Sequence, residues 1–431
     1  MNKESVTLRI LFTGALVIAL LVPLVMIQSL ITERQSYRHE AITEIGKGWA
    51  GEQTLAGPVL TFVNEYIITE NEKTFTKQDV KYVLPDDLVI ESKVHPEIRY
   101  RGIYQTIVYK TDLIVKGNFN PARIKEVFNP DILKESYLSF NVSDPRGIKE
   151  NIKLRWDNAE QVVKPGLKDR NVFKNGFYSS LKIEKDKPGY NFELTLSLNG
   201  VESLNFVPVG KNTKVNVSST WQSPNFSGNF LPSTREINDN GFTASWNVNE
   251  FNRTFPQDWN SSTYNIFDDA FGVRFVIPAD EYQQTMRSSK YGILIVLLTF
   301  LSFFLVEVFS GKATHPIQYL LIGLALVIFY SLLLALSEYI KFQYSYLLAA
   351  VLVIGLISLY VKSIFKNGRI TLAIAGLLFM FYGFVYVILQ LQDYSLLLGN
   401  IALLLILASV MFFTRKINWF DVLKGKSKTQ G

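Results

Sequence analysis

Four ionisable residues, Glu307, Lys312, His315 and Glu338, interrupt the apolar stretch FFLVEVFSGKATHPIQYLLIGLALVIFYSLLLALSEYI between Phe303 and Ile340. A carboxylate held in hydrocarbon could carry a proton or a cation, because ionising it there is costly and its charge responds to whatever binds beside it. Lys312 and His315 fall in a short polar turn. Glu338 stands beside Tyr339, Lys341 and Tyr344, where an interfacial aromatic belt belongs. Those three read as boundary residues. Glu307 lies in the last apolar turn before Gly311 and is the candidate intramembrane polar residue. The competing reading puts it at headgroup depth, paired with Lys312 or a neighbouring helix.

The rest of the usual catalytic equipment is sparse. His39, His95 and His315 are far apart in the chain, and each reads as a structural or surface residue, not as a zinc ligand or triad member. No G-x-x-x-x-G-K-[ST] and no G-x-S-x-G occurs, so phosphate-cradling and hydrolase-elbow chemistry lack their motifs. Asp86–Asp87 and Asp268–Asp269 are paired acids that could hold calcium or share a proton. The first follows Pro85 and the second precedes a short apolar run, so both are expected in solvated turns. Asn-x-Ser/Thr triplets at Asn141, Asn216, Asn225, Asn252 and Asn260 matter only in a eukaryotic secretory route. The expectation is a protein that is not an enzyme, with no catalytic, cofactor-binding or metal residues and no cofactor.

The elements around these residues are set by hydropathy. Hydrophobic residues make up 48% of the 431 positions, concentrated at the two ends. Leu8–Ile31 carries no charge after Arg9 and is long enough to cross a hydrocarbon core of about 30 Å. It exceeds a signal-peptide core, contains Pro23 and has no small-x-small site after it, so it reads as an uncleaved anchor. Further spans fall at Tyr291–Val308, Ile317–Ser337, Ser345–Phe365, Ile370–Leu391 and Tyr394–Phe413. The predicted organisation is an N-terminal transmembrane anchor (1–31), a β-rich domain with a helical stalk (32–289), a five-helix block (290–414) and a basic tail (415–431).

Charge assigns the sides. Thr32–Ser289 holds 31 Lys+Arg and 33 Asp+Glu, a net of −2, so the overall +6 flanks the membrane and does not form a patch for nucleic acid. Lys3, Arg9, Lys312, Lys362, Lys366, Arg369, Arg415, Lys416, Lys424, Lys426 and Lys428 would share one side, with Lys341 on the other. By the positive-inside rule both termini are cytoplasmic and the large domain is outside, which in a bacterial inner membrane is the periplasm. Without any cysteine, that domain must be held by its core and not by disulfides.

Within it, residues 32–50 repeat apolar side chains at helical spacing (Ala41, Ile42, Ile45, Trp49), a stalk prolonging the first span. The period then changes to two. Phe192, Leu194, Leu196 and Leu198 share a face, as do Phe242, Ala244, Trp246 and Val248, then Val215, Val217 and Trp221, then Tyr109, Leu113 and Val115. Turn signals such as LPDD, DKPGY and NDNG separate these runs. PARIKEVFNPDILKESY is the expected helical exception. The fold class is therefore a mixed membrane protein: an α-helical transmembrane bundle of one plus five helices with a large inserted antiparallel β-rich periplasmic domain.

Several stretches resemble the CreD-like inner-membrane proteins, a family of cell envelope integrity proteins. They are ERQSYRHEAITEIGKGWAGEQTLAGPVL, YVLPDDLVIESKVHPEIRYRGIY, FVPVGKNTKVNVSSTWQSPNFSGNFLP, GFTASWNVNEFNRTFPQDW and the helical segments from His315 onward. The likeness extends over nearly the whole chain. It implies a bacterial inner-membrane protein with envelope-maintenance phenotypes such as altered colicin tolerance, under a two-component regulator in some enterobacteria. It supplies no catalytic residues. Beyond the lipid bilayer itself, the expected partner is a periplasmic protein, the wall or a lipid. A non-enzymatic β domain binding such a partner in an envelope stress response is the leading function class. A transport or lipid-handling role for the five-helix block is the alternative, although Glu307, Gln390, Gln392 and Asn400 are few polar groups for a substrate path.

Overall fold

Apolar runs become helices and alternating runs become strands in a computed structural model of the chain. It describes residues 6–415 apart from 71–72, 185–186, 188, 261–263, 278–280, 311–313 and 392–394. Lys3, Lys312, Asp393 and the tail cations from Lys416 onward lie outside the described residues. Two compact units result: Met1–Tyr37 with Ala279–Gly431, and Arg38–Pro278.

The helices are α1 (Val6–Trp49), α2 (Pro121–Val127), α3 (Glu281–Lys290), α4 (Gly292–Ser310), α5 (Pro316–Ser337), α6 (Phe342–Phe365), α7 (Gly368–Gln390) and α8 (Ser395–Thr414). Among the described residues, the stretch from Leu11 in α1, and α5, α6 and α7, are long and apolar enough to cross a membrane. The pair α3–α4, bent by 41°, passes as a fifth span, and α8 contributes the shorter apolar stretch Leu397–Ala408. Their ends follow local chemistry. The His315 side chain accepts from the Ile317 N–H and Pro316 occupies the first turn of α5, where its missing N–H costs nothing. Lys366 takes a left-handed φ of 49° to end α6, and Asn367 then caps α7 by accepting from the Arg369 N–H at 3.0 Å.

Helix α1 packs against the other helices of its unit. Leu20, Leu24, Ile27 and Ile31 form a buried stripe along α1. Gly323 of α5 leaves room for Leu20, and Gly292 of α4 leaves room for Leu24 beside Tyr330. Small residues allow such close approach where no hydrophobic effect drives helices together. At the other end of α5, Arg34 of α1 stands 3.6 Å from the Glu338 carboxylate.

The second unit contains β1 (Gln53–Glu70), β2 (Lys73–Val83), β3 (Asp87–Arg101), β4 (Tyr104–Phe119), β5 (Leu133–Val142), β6 (Lys153–Trp156), β7 (Ala159–Gln161), β8 (Lys164–Pro165) and β9 (Phe177–Leu181). It continues with β10 (Tyr190–Val201), β11 (Ser203–Phe206), β12 (Asn212–Ser219), β13 (Pro224–Gly228), β14 (Thr234–Asn238), β15 (Gly241–Asn249), β16 (Asp258–Asn260) and β17 (Phe271–Phe275). One nine-stranded sheet runs β13-β17-β11-β1-β5-β9-β8, with β2 on β1 and β16 on β2, and an eight-stranded sheet runs β14-β15-β12-β3-β4-β10-β6-β7.

The two sheets share one core. Trp246 and Phe242 of β15 meet Phe226, Phe271 and Phe275 of the opposite sheet at ring-centroid distances between 5.6 and 6.3 Å. Tyr109 crosses between the sheets and donates its hydroxyl to the Ser203 carbonyl at 2.7 Å. Gly200 makes that possible, since a β-carbon there would occupy the space of the Tyr109 ring and hydroxyl. The alternating residues expected to share a face are buried in β4, β10 and β15, as are Val215 and Val217 of β12, but Trp221 lies past the end of β12 and is only half-buried.

Two expectations need correction. The helix expected from PARIKEVFNPDILKESY stops at Val127, and Leu133–Val142 is strand β5. Asn129 precedes Pro130, which disfavours helical backbone, and the residues after it are buried on both faces. Pairing is mostly antiparallel, but β1 runs parallel to β11 and β3 parallel to β12. These partners are so distant in sequence that no turn signal could announce them.

The C-terminal end of α1 is fastened to the β unit by side chains. The Trp49 indole donates to the Tyr109 carbonyl at 3.2 Å and lies under Arg99, while Glu44 pairs with Arg101. Asp144 accepts from the Gly51 N–H at 2.8 Å and from Arg146, whose guanidinium also donates to the Lys47 carbonyl at 3.1 Å. Hydrogen bonds from the Arg146 side chain, then from the Gly51 and Arg146 backbone, hold the Asp144 carboxyl below its ordinary 3.8, against the opposing effect of burial. The stabilisation is therefore complete above 3.8 and is lost as pH falls through the depressed value. Asp144→Asn should cost about 1–3 kcal/mol near neutral pH. The gap from wild type in thermal unfolding should close in acid, and a gap independent of pH would contradict this.

Candidate functional site

Glu307 belongs to α4 and Tyr319 to α5, and the two chain segments are brought together by packing of the helices. The Tyr319 hydroxyl donates to the Glu307 carboxylate at 3.1 Å, and the Tyr319 ring is braced edge-on by Phe300 at 5.4 Å and Phe303 at 6.1 Å. Glu307 is 9% exposed. A carboxylate so placed is partly desolvated but supplied with a hydrogen-bond donor.

A second polar-aromatic cluster lies where α5, α6 and α7 meet. Phe329 packs against Tyr330, Tyr346 and Tyr382 at centroid distances of 4.9, 5.2 and 4.6 Å. The Tyr346 hydroxyl donates to the Tyr382 carbonyl at 2.8 Å, tying α6 to α7, whereas the buried hydroxyls of Tyr330 and Tyr382 have no hydrogen-bond partner among the described residues. Between α6 and α7 is a groove of about 390 Å³ walled by Leu347, Val351, Phe379 and Tyr386, with Gln343 and Tyr344 also on its lining. Its chemistry suits hydrocarbon.

The β unit presents a different surface. On the outer face of the eight-stranded sheet two rows cross four strand pairs in register. One is Ile114–Glu91–Asn216–Ser245–Thr234 and the other Asp112–Lys93–Ser218–Thr243–Glu236. Together with Arg235 they line a cleft of about 660 Å³. Ser245 donates its hydroxyl to the Asn216 amide oxygen at 2.8 Å, and Ser197 of the next strand donates to the Asp112 carboxylate at 2.7 Å. Short Ser, Thr and Asn side chains keep the floor low, and Glu91, Lys93, Asp112, Arg235 and Glu236 bring charges of both signs. Such a surface can bind polar ligands by hydrogen bonds and ion pairs.

The other sequence candidates are dispersed. His315 is the helix cap described above, His39 is exposed on α1, and His95 is exposed with Asp112 4.0 Å away. Among the described residues no three of His, Asp and Glu gather at metal-binding range. Asp87 is exposed but opens strand β3, accepting from Asn118 and Asn212, and Asp86 before it is half-buried, so this pair is not the solvated turn expected. Asp269 does not lie in solvent as expected: it is buried, and accepts from the Thr254 backbone and hydroxyl, both at 2.8 Å. Nearby, burial pushes the Arg253 guanidinium down to about 10 while it donates to Val209 and Gln257 and stacks on Phe255. Neither the Arg253 network nor the rows of the cleft were foreseen. The only available signal for the rows was the polar half of each alternating strand.

A family model described as inner membrane protein CreD matches residues 5–420. The chain is 32% identical over 411 residues to the inner membrane protein CreD of Escherichia coli (strain K12), across 94% of this chain and 91% of that protein.

Proposed function

The chain belongs to the CreD family of inner membrane proteins, and from that membership we propose that it supports cell envelope integrity by binding, not by catalysis. On this reading it is a multi-pass protein of the bacterial cytoplasmic membrane with one plus five spans. Both termini are cytoplasmic, and the β-rich domain with its stalk, 32–289, is periplasmic. The positive-inside distribution of Lys and Arg supports the orientation. The observation that carries the functional reading is the polar cleft crossed by the two outward rows, which suits a periplasmic protein or wall polymer engaged during envelope stress.

The groove between α6 and α7 favours a second reading, lipid handling within the bilayer. A transport role would instead need Glu307 as a carrier. Our reading makes Glu307 a boundary residue whose main task is to hold Tyr319 and the α4–α5 contact.

Complementation of a deletion strain under envelope stress separates these. Lys93→Glu with Arg235→Glu, both exposed in the cleft, should abolish complementation at unchanged protein level. Glu307→Gln, which keeps an acceptor for Tyr319, should leave complementation largely intact. The reverse pattern would overturn the binding reading and restore the transport one.

A further inference from the structure

A second recess opens on the β unit, away from the polar rows, where the segment Val162–Phe177 loops past the ends of β6 and β7. It measures about 890 Å³, inside the range of roughly 300–1,000 Å³ typical of small-ligand sites. Its lining includes Ile148, Ile152, Val163 and Leu167, half-buried side chains that pack directly on the domain core. Val162 at the same recess is 75% exposed. Apolar surface that stays open beside a well-filled core is available for burial by something else.

The charges around it are unequal. Glu150 is engaged by Lys110 at 3.2 Å, and Glu160 lies directly across the β6–β7 ladder from Arg155. Arg170 and Lys174, both exposed on the recess lining, pair with no acid among the described residues. Two uncommitted cations over an apolar floor match one ligand chemistry: an anionic head joined to a hydrocarbon tail. Arginine and lysine supply charge-assisted donors to a phosphate or carboxylate, and the floor removes the tail from water. An acidic peptide fits less well, since its backbone N–H and C=O groups would be laid against aliphatic side chains without partners.

We propose that this recess binds the anionic head and acyl chain of a single-chain, phosphate-bearing lipid. The inference deepens the reading of the β unit as the binding module and rests on it. The test below does not depend on membrane orientation or on complementation, so the two can fail separately.

The full-length protein in phosphatidylcholine nanodiscs is photolabelled with a diazirine-bearing lysophosphatidylglycerol, and adducts are mapped by mass spectrometry. Adducts are expected on peptides from 148–177. They should be competed by unlabelled lysophosphatidylglycerol but not by lysophosphatidylcholine or inorganic phosphate. Arg170→Gln with Lys174→Gln should weaken labelling about tenfold or more, as expected for losing two charge-assisted contacts, with the circular dichroism spectrum unchanged. Arg170→Lys should retain most of it. Adducts confined to the helices beyond residue 281 would overturn the proposal. So would equal competition by the choline lipid, displacement by phosphate alone, or labelling indifferent to the double substitution.

Discussion

Replacing Trp246 by alanine is expected to destabilise the β unit by about 3–5 kcal/mol, a large share of the roughly 5–15 kcal/mol that holds a typical domain. Trp246 is fully buried in β15, with its ring centroid 5.7 Å from Phe226 and 5.6 Å from Phe271. Its indole N–H donates to the Phe230 carbonyl at 3.1 Å. Alanine would leave a cavity between the two sheets and strip that carbonyl of its donor. No disulfide is available to compensate, since the chain has no cysteine. The thermal midpoint of the β-sheet circular dichroism signal, read on full-length protein in detergent, should fall by roughly 6–20 °C. Tyr100→Ala, at a position 67% exposed, should leave it nearly unchanged. Equal midpoints for the two variants would contradict the two-sheet core.

The second large effect is expected in the helical unit. A β-carbon at Gly323 would run into Leu20 of α1 and come within 3.0 Å of the Phe300 ring. Gly323→Leu must therefore push α1 off α5 or distort both. Overpacking of this kind costs about 1–3 kcal/mol, and here it strikes the stripe through Leu20, Leu24, Ile27 and Ile31 that seats the first span. Loss of monodisperse behaviour in mild detergent and a lowered midpoint are expected. Gly355→Leu is the control, because nothing lies within 4 Å of a β-carbon there. Were both leucine variants to behave as wild type, α1 would not be packed as described.

How much of this could be read from the sequence varied with the range of the interactions. Phe192, Leu194, Leu196 and Leu198 were legible because burial of a strand on one face leaves a period of two in the chain itself. The helices after Lys290 were legible by length and hydropathy. What packs against what was not. A helix that is apolar all round hides its contact face, so the stripe on α1 and the role of Gly323 become visible only once α4 and α5 are in place. The parallel neighbours β1–β11 and β3–β12 are set by tertiary packing and leave no local mark.

The candidate site divides in the same way. Glu307 stood out because an acid among apolar residues is conspicuous, but its partner Tyr319 lies on the next helix, beyond a polar turn. The rows of the cleft join Glu91 to Asn216 and Lys93 to Ser218, residues whose proximity depends on the parallel pairing of β3 with β12. By its type Asp269 suits a solvated turn, yet it is buried. The Thr254 donors that allow its burial come from a separate segment.

On the reading proposed above, the β unit works on the periplasmic side of the membrane. The absence of cysteine makes the chain its own background for single-cysteine labelling. Lys182→Cys in the β unit, Lys341→Cys between α5 and α6, and Arg369→Cys at the start of α7 all fall at exposed positions. Intact cells are treated with a membrane-impermeant maleimide before and after permeabilisation of the inner membrane. Lys182→Cys and Lys341→Cys should react in intact cells, and Arg369→Cys only after permeabilisation. Labelling of Arg369→Cys in intact cells while Lys182→Cys stays protected would contradict that reading.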